Sequence, residues 1–224
     1  MVQPPQVIVF DVNETLSDLT PMGTRFADVG APAALIRTWF AVLLRDGFAL
    51  TAAGGQDRFA RLADGAMRSV LTGVALNRGM DEAVDHVMAG FAELPVHADV
   101  PGGVRALRAA GIRLVTLTNG AVRTADELLT RAGLRAEFEA LHSVDETTAW
   151  KPAPAAYAYI CQACAAPPAE LMLVAVHPWD IDGAARAGLR TAWLNRGGAS
   201  FPAYFTAPEL DVSSLGELAD RLTG

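Results

Sequence analysis

Short runs of apolar residues alternate along the chain with longer amphipathic stretches. Five of the runs are interpreted as strands: 7–10, 114–117, 171–176, 191–194 and 210–212. Nearly unbroken aliphatic and β-branched runs that stop abruptly at polar residues are typical of a parallel sheet covered on both faces. Three stretches between them have helical patterning: 101–110, 124–132 and 154–165. This alternation predicts an α/β fold.

The segment from residue 17 to residue 97 has a different pattern. It contains no clear strand, and three amphipathic runs in it are predicted helices, at 33–44, 56–71 and 81–94, with Gly47 among the glycines that break the pattern. The segment leaves after the first predicted strand and returns before the second. We therefore predict a helical cap domain of residues 17–97 above a discontinuous α/β core domain of residues 1–16 and 98–224.

Composition and charge narrow the range of functions. The chain has 224 residues, of which 51% are hydrophobic, and a mean hydropathy of +0.24, which suits a large buried core. Its formal net charge is −7 and its basic residues are scattered, so neither nucleic acid nor a membrane surface is an expected partner. No apolar run resembles a signal peptide or a membrane span, and a cytoplasmic location is expected. Cys161 and Cys164 are interpreted as helix residues rather than a redox motif.

Polar residues follow three of the predicted strands. Asp11 comes directly after the first, Thr118 and Asn119 after the second, and His177 and Asp180 after the third. Ligands of open parallel sheets bind beyond the carboxyl ends of the strands, so these side chains are expected to meet in one crevice. Singly, each has a structural explanation, such as a loop aspartate that caps a turn. Together they favour a catalytic site.

In their order along the chain, these motifs resemble those of the haloacid dehalogenase (HAD) superfamily, and within it the type II 2-haloacid dehalogenases. The resemblance covers essentially the whole chain. The segments that carry it are 10–16 (FDVNETL), 117–120 (LTNG), 143–145 (SVD), 151–152 (KP), Tyr157, 179–180 (WD), 183–184 (GA) and 194–196 (LNR). It implies a Rossmann-like, HAD-like parallel sheet core with an inserted helical cap.

The resemblance also implies a catalytic mechanism. Asp11 would attack the carbon that bears the halogen of a short 2-haloacid and form an aspartyl ester, which water then hydrolyses. Lys151 would neutralise and orient Asp11, and Thr15 would donate a hydrogen bond to it. Asp180 would position Lys151 and help to activate water. The expected partners are a small haloacid anion and the halide product, and the resemblance suggests a homodimer through the cap helices.

The substrate-binding residues implied by the resemblance are Thr118, Asn119, Asn13, His177, Tyr157, Phe40, Trp39 and Arg45. Thr118 and Asn119 would hold the substrate carboxylate through hydroxyl, amide and backbone donors. Trp39, Phe40 and Trp179 would form walls of the halogen pocket, although aromatic residues at such positions are more often plain core.

The halide site departs from the family pattern. Phe40 falls where the family has an arginine that grips the halide, and Arg37 or Arg45, about one turn away on the same helix, could replace it. His177 stands in place of an asparagine that helps to bind halide. Its ring could still donate an N–H, and the alternative is a structural histidine at the end of a strand.

Two further departures separate the chain from the phosphatases of the superfamily. Asn13 stands where they have an acidic proton donor, and where the dehalogenases have tyrosine, while Val176 stands where they have a carboxylate ligand for Mg²⁺. A departing halide needs neither a proton nor a metal, so no metal and no organic cofactor are expected. A HAD-type phosphatase acting on a small metabolite and a non-catalytic HAD-like binding scaffold remain as alternatives.

Overall fold

The computed structural model describes residues 3–224. Its six strands are β1 (Val7–Phe10), β2 (Arg113–Thr118), β3 (Ala140–Ser143), β4 (Leu171–Ala175), β5 (Arg190–Leu194) and β6 (Leu210–Val212). They form one sheet in the order β3-β2-β1-β4-β5-β6, and every neighbouring pair is parallel. The order reverses direction at β1, which makes the carboxyl end of β1 the point where open sheets of this kind bind ligands.

The α-helices are α1 (Met22–Asp28), α2 (Leu35–Ala52), α3 (Phe59–Leu71), α4 (Met80–Ala92), α5 (Val100–Ala109), α6 (Val122–Arg131), α7 (Pro154–Cys164), α8 (Pro178–Arg186) and α9 (Leu215–Thr223). The predicted α/β fold with a parallel sheet is confirmed, and all five predicted strands are present. β3, α1, α8 and α9 are not among the elements predicted above. Cys161 and Cys164 lie on α7, as predicted, and both thiols are free.

The predicted break at Gly47 is wrong, because α2 continues through that residue to Ala52. Gly47 is buried against the indole ring of Trp150. A Cβ atom at position 47 would lie 2.4 Å from Cε3 of that ring. The glycine therefore permits close packing between α2 and the loop that carries Trp150, rather than ending the helix.

The sheet is covered on both faces, as the continuous apolar runs predict. Val7 and Val9 of β1 belong to one hydrophobic core, and Ile8 and Phe10 belong to a second core on the opposite face. Side chains alternate between the two faces of a strand, and both faces are covered here, so all four residues are fully buried.

Helices α1–α4 lie between two connections that run side by side. Ser17 and Val96 form an isolated antiparallel bridge, the backbone N–H of Asp18 donates to the carbonyl of Pro95 (2.8 Å), and that of His97 donates to Leu16 (3.0 Å). Across residues 3–224, no helix is both long enough and apolar enough to cross a membrane.

Candidate active site

Asp11 lies immediately beyond the carboxyl end of β1 and is almost completely buried. The hydroxyl of Thr15 donates to its Oδ2 atom at 2.6 Å, and the same hydroxyl accepts the backbone N–H of Val176 at 3.1 Å. The backbone N–H of Asp11 donates to the carbonyl of Val174 (3.0 Å). The loops after the adjacent strands β1 and β4 thereby hold the Asp11 carboxylate in one orientation.

Lys151 joins Asp11 to Asp180 in the interior of the protein. Its Nζ atom donates to Oδ1 of Asp11 at 2.9 Å and to Oδ2 of Asp180 at 2.6 Å, and neither Lys151 nor Asp180 is exposed. The hydroxyl of Tyr157 donates to Oδ1 of Asp180 at 2.6 Å. The side chain of Asn119 makes two hydrogen bonds to the backbone of Lys151: Oδ1 accepts the N–H, and Nδ2 donates to the carbonyl oxygen. Asn119 and Tyr157 therefore hold the charged groups in place.

Asp11 and Asp180 share the ammonium group of Lys151, but their pKa values shift in opposite directions. Burial raises the pKa of Asp11, but Lys151, His177 and Thr15 outweigh it and hold the pKa below its ordinary value. The pKa of Asp180 is raised by burial and by repulsion from Asp11, against the attraction of Lys151. Burial opposes the charge of Lys151, yet the two carboxylates raise its pKa. Asp11 is thus an anion beside a fixed cation, as a carboxylate nucleophile requires.

His177 lies beside Asp11 at the N-terminal end of α8. Its Nε2 atom is 3.1 Å from the carbonyl oxygen of Asn13 and 3.7 Å from Oδ2 of Asp11, so the acceptors around Nε2 assign a proton to that nitrogen. The imidazole stacks between two aromatic rings, with centroid distances of 6.0 Å to Phe40 and 5.0 Å to Trp179. His177 therefore presents a fixed N–H donor close to the Asp11 carboxylate.

Glu14 belongs to the same group of side chains and was not among the residues predicted from the sequence. Its φ of 61° lies in the left-handed region, which costs a non-glycine residue about 1 kcal/mol. Oε2 of Glu14 is 3.7 Å from Nε2 of His177. Burial raises the pKa of Glu14, although His177 draws it down. The sequence feature that could have indicated Glu14 is its position, as an acidic residue, in the loop that carries the predicted nucleophile.

The structure brings most of the predicted site residues together. Thr118 is buried at the end of β2, where its hydroxyl oxygen accepts the N–H of Gly120 (2.9 Å) and keeps its own proton free to donate. Asn13 is buried in the loop after β1 and holds His177 through its carbonyl. Tyr157 reaches Asp180 rather than the space above Asp11, so it acts on the site through that carboxylate.

Two predicted residues of α2 lie elsewhere. Trp39 is buried within the helical segment, where its Nε1–H donates to the carbonyl of Ala63 (2.9 Å) and its ring packs edge-on against Phe91. Arg45 pairs with Asp46 on the surface, with 66% of its side chain exposed. Successive helix residues point about 100° apart, so Phe40 faces His177 while Trp39 faces the neighbouring helices.

A cavity of about 930 Å³ lies beside this group of residues. Glu14, Phe40, Val176 and His177 form part of its lining. Asp11 does not line the cavity itself but lies behind His177, with its Oδ2 atom 3.7 Å from Nε2 of that residue. Arg37, and not Arg45, is the arginine of α2 that faces the cavity. Arg196 also lines it, with a guanidinium bound to Asp99 and to the carbonyl of Thr15.

Among residues 3–224, no three side chains of His, Cys, Asp or Glu converge as a metal site would require. Val176, at the position where a phosphatase ligand is expected, offers only an aliphatic side chain. Reaction without a metal stays a prediction.

Comparison with known proteins agrees with this geometry. The family model for haloacid dehalogenase-like hydrolases matches residues 5–188. (S)-2-haloacid dehalogenase 4A of Burkholderia cepacia is 30% identical over 223 residues, covering 97% of this chain and 95% of that protein. Haloacetate dehalogenase H-2 of Moraxella sp. (strain B) is 35% identical over 122 residues, which is 54% of each chain. A crystal structure of an L-2-haloacid dehalogenase superimposes with a TM-score of 0.93 at 27% identity, covering 99% of this chain and all of that one.

The chain therefore belongs to the haloacid dehalogenase-like hydrolases. Within that family, its sequence and its fold both match 2-haloacid dehalogenases along nearly their whole length. The resemblance to the type II enzymes that the sequence motifs indicated is thus confirmed.

Proposed function

We propose that this protein hydrolyses the carbon–halogen bond of 2-haloacids through an aspartyl-ester intermediate on Asp11. The observation that carries the proposal is the buried arrangement of Asp11, Lys151 and Asp180 at the point where the strand order reverses. Lys151 and Thr15 each bond a different oxygen of Asp11, so the carboxylate is held in one plane with its remaining lone pairs free to react.

In the first step, one Asp11 oxygen attacks C2 of the haloacid from the side opposite the halogen. The new carbon–oxygen bond forms as the carbon–halogen bond breaks, and the halide leaves with the bonding electrons. No proton transfer is needed in this step. The free hydroxyl proton of Thr118 is suited to bind the substrate carboxylate, and exclusion of water around Asp11 strengthens that contact.

The departing halide needs donors that can stabilise its growing negative charge. His177 lies beside Asp11, and a halide would take its Nε2–H from the carbonyl oxygen of Asn13. The ring of Phe40 shields the imidazole on one face. Arg37 faces the same cavity and supplies positive charge. We assign these residues to the halide side of the site, in place of the arginine that Phe40 replaces in the family pattern.

In the second step, water attacks the Cγ atom of the Asp11 ester, and the 2-hydroxy acid leaves with the original Asp11 oxygen. Asp180 has a raised pKa and lies on the Lys151 ammonium group, so it is suited to accept a proton from the attacking water and to return it to the departing alkoxide. The Asp11 carboxyl group then loses its remaining proton to solvent and is again a carboxylate. Lys151 and Thr15 donate to the two Asp11 oxygens and stabilise the charge that develops on them.

The direct test is halide release from chloroacetate and racemic 2-chloropropionate, with and without EDTA, by the native enzyme and by Asp11→Asn. We expect halide release that is insensitive to EDTA and absent in the variant. Mg²⁺-dependent hydrolysis of p-nitrophenyl phosphate without halide release would instead identify a phosphatase. No turnover of either class by a folded enzyme would favour the binding scaffold. The homodimer, the cytoplasmic location and the boundaries of the cap domain stay predictions.

A further inference from the structure

The cavity beside Asp11 is much larger than a short haloacid requires. 2-Chloropropionate has six non-hydrogen atoms, and at the roughly 30 Å³ that a water molecule occupies in the liquid they fill on the order of 180 Å³. The cavity measures about 930 Å³, which is near the upper end of the range for pockets that bind ligands of drug size. Most of the space is therefore left for a part of the substrate that short haloacids lack.

The cavity wall formed by α2 and β5 is mainly apolar. Ile36, Phe40 and Leu44 follow one another at four-residue spacing, which places them on a single face of α2. Trp193 and Leu194, at the end of β5, also line the cavity. Phe40 stacks on His177, which lies beside Asp11. The wall extends from Phe40 along α2.

Small side chains keep this space open. Gly23, Ala33, Ala34 and Ala41 all line the cavity, on α1, before α2 and within it. Ala41 follows Phe40 directly and lies between Ile36 and Leu44 along the helix. A larger side chain at position 41 would enter the cavity without disturbing any buried core residue, because Ala41 is exposed to that space.

We propose that this cavity binds the C2 substituent of an extended 2-haloacid, one that carries an alkyl chain of about four carbons or more. The inference rests on the proposed function, since it places the halogenated carbon at Asp11 and the tail along α2. Burying each additional methylene group contributes about 0.8 kcal/mol, which corresponds to about a fourfold gain in affinity. An enzyme built only for haloacetate or 2-halopropionate would gain nothing from this space.

The experiment is a chain-length series of racemic 2-bromopropionate, 2-bromobutanoate, 2-bromohexanoate and 2-bromooctanoate, followed by bromide release. We expect kcat/KM to rise at least tenfold between the propionate and the hexanoate, mainly through KM, against a limit of about 60-fold for three fully buried methylene groups. A flat or falling series would overturn the proposal.

The matched variants are Ala41→Leu and Ala49→Leu. Both replace an exposed alanine of α2 with another strong helix former, but only position 41 lines the cavity. Ala41→Leu should abolish most of the gain for the hexanoate and leave 2-bromopropionate within about twofold of the native enzyme. Ala49→Leu should show the same rise of kcat/KM with chain length as the native enzyme. Equal chain-length profiles for the native enzyme and Ala41→Leu would contradict the assigned tail site.

A binding measurement separates this inference from the proposed chemistry. Titration calorimetry with racemic 2-hydroxypropionate and 2-hydroxyhexanoate, the corresponding products, requires no turnover. We expect the longer acid to bind at least tenfold more tightly to the native enzyme, and this preference to be lost in Ala41→Leu. If the longer acid binds more tightly but no bromide is released, the proposed reaction is rejected and the assignment of the cavity to the C2 substituent stands. Equal affinities for the two acids would reject the cavity assignment, whether or not bromide is released.

Discussion

Asn119 holds the backbone of Lys151 at two points. Its Oδ1 atom accepts the Lys151 N–H at 2.9 Å, and its Nδ2 atom donates to the Lys151 carbonyl at 3.2 Å. Asn119 follows β2, whereas Lys151 belongs to the loop before α7, so the two bonds fix that loop to the sheet. The contact thereby helps to set the position of the ammonium group over Asp11.

Replacing Asn119 with alanine tests this positioning role. We expect Asn119→Ala to reduce kcat by about 10- to 100-fold, because displacements of catalytic groups of the order of 1 Å have effects of this size. KM should change much less, since Thr118, to which we assign the substrate carboxylate, is unchanged. Asn77→Ala is the control, because Asn77 also donates to a backbone carbonyl, that of Asp28, but on the surface. A variant in which KM rises and kcat is unchanged would show that Asn119 mainly binds substrate.

Removal of the Tyr157 hydroxyl should alter the pH dependence of the reaction. The hydroxyl donates to the ionised form of Asp180 and so lowers its pKa, which burial has raised. In Tyr157→Phe the pKa of Asp180 should rise further, and the acidic limb of the kcat profile should move to higher pH. Tyr159→Phe is the matched control, since Tyr159 contacts His142 and Glu146 away from the site. Superimposable pH profiles for Tyr157→Phe and the native enzyme would argue against Asp180 as the proton acceptor.

Lys151→Met should destabilise the protein at neutral pH. Two buried carboxylates would lose their shared cation, and breaking a buried ion pair in this way costs about 3–5 kcal/mol. The pKa values of both carboxyl groups in the folded variant would then exceed their unfolded values. Folding would therefore favour proton uptake, and the loss of stability should shrink as the pH falls from 7 towards 4.5.

Urea denaturation of Lys151→Met at both pH values checks this prediction. Arg186→Met serves as the control because it breaks the exposed pair with Asp182, and exposed pairs contribute little to stability. A loss of stability in Lys151→Met that is the same at pH 7 and pH 4.5 would contradict the assignment of two ionised carboxylates to Lys151.

Glu14→Gln should stabilise the protein at neutral pH. Burial raises the pKa of Glu14 in the folded state, and the charged groups that act on it are His177, Asp11, His97 and Arg37. A carboxyl group with a raised folded pKa favours folding while protonated, and this contribution is lost as the pH rises through that pKa. Glutamine removes the penalty at neutral pH.

Thermal melts of Glu14→Gln and the native protein between pH 4 and pH 8 measure this effect. We expect the variant to have the higher Tm at pH 7 and the difference to disappear near pH 4. A lower Tm for the variant at pH 7 would mean that the contact between Glu14 and His177 contributes more to stability than burial of the carboxyl group costs.

Sequence patterns predicted the sheet well because its strands are buried on both faces. Such strands appear as unbroken apolar runs, and the polar residues that end them are those that converge at the carboxyl edge. β3 was not predicted because it has only four residues, ALHS, of which two are polar. The glycine within α2 is explained by the ring of Trp150, about 100 residues away, and no local pattern contains that contact.

The candidate site could likewise be predicted only as far as local motifs define it. Asp11, Lys151 and Asp180 could be predicted because each lies in a short motif at the end of a strand or in the adjacent loop. The orientations of Trp39 and Arg45 could not, since α2 packs against other helices on one side and lines the cavity on another. Glu14 was missed because its side chain reaches the site through a left-handed backbone conformation that is uncommon for glutamate.

A single turnover in H₂¹⁸O detects the proposed ester on Asp11. With enzyme in excess over 2-bromopropionate, mass spectrometry of the product and of the peptide that contains Asp11 locates the label. We expect one ¹⁸O atom in the Asp11 carboxylate and none in the 2-hydroxypropionate, because water attacks Cγ and the product leaves with the original Asp11 oxygen. Label in the product and none in Asp11 would show that water attacks C2 directly and that no ester forms on Asp11.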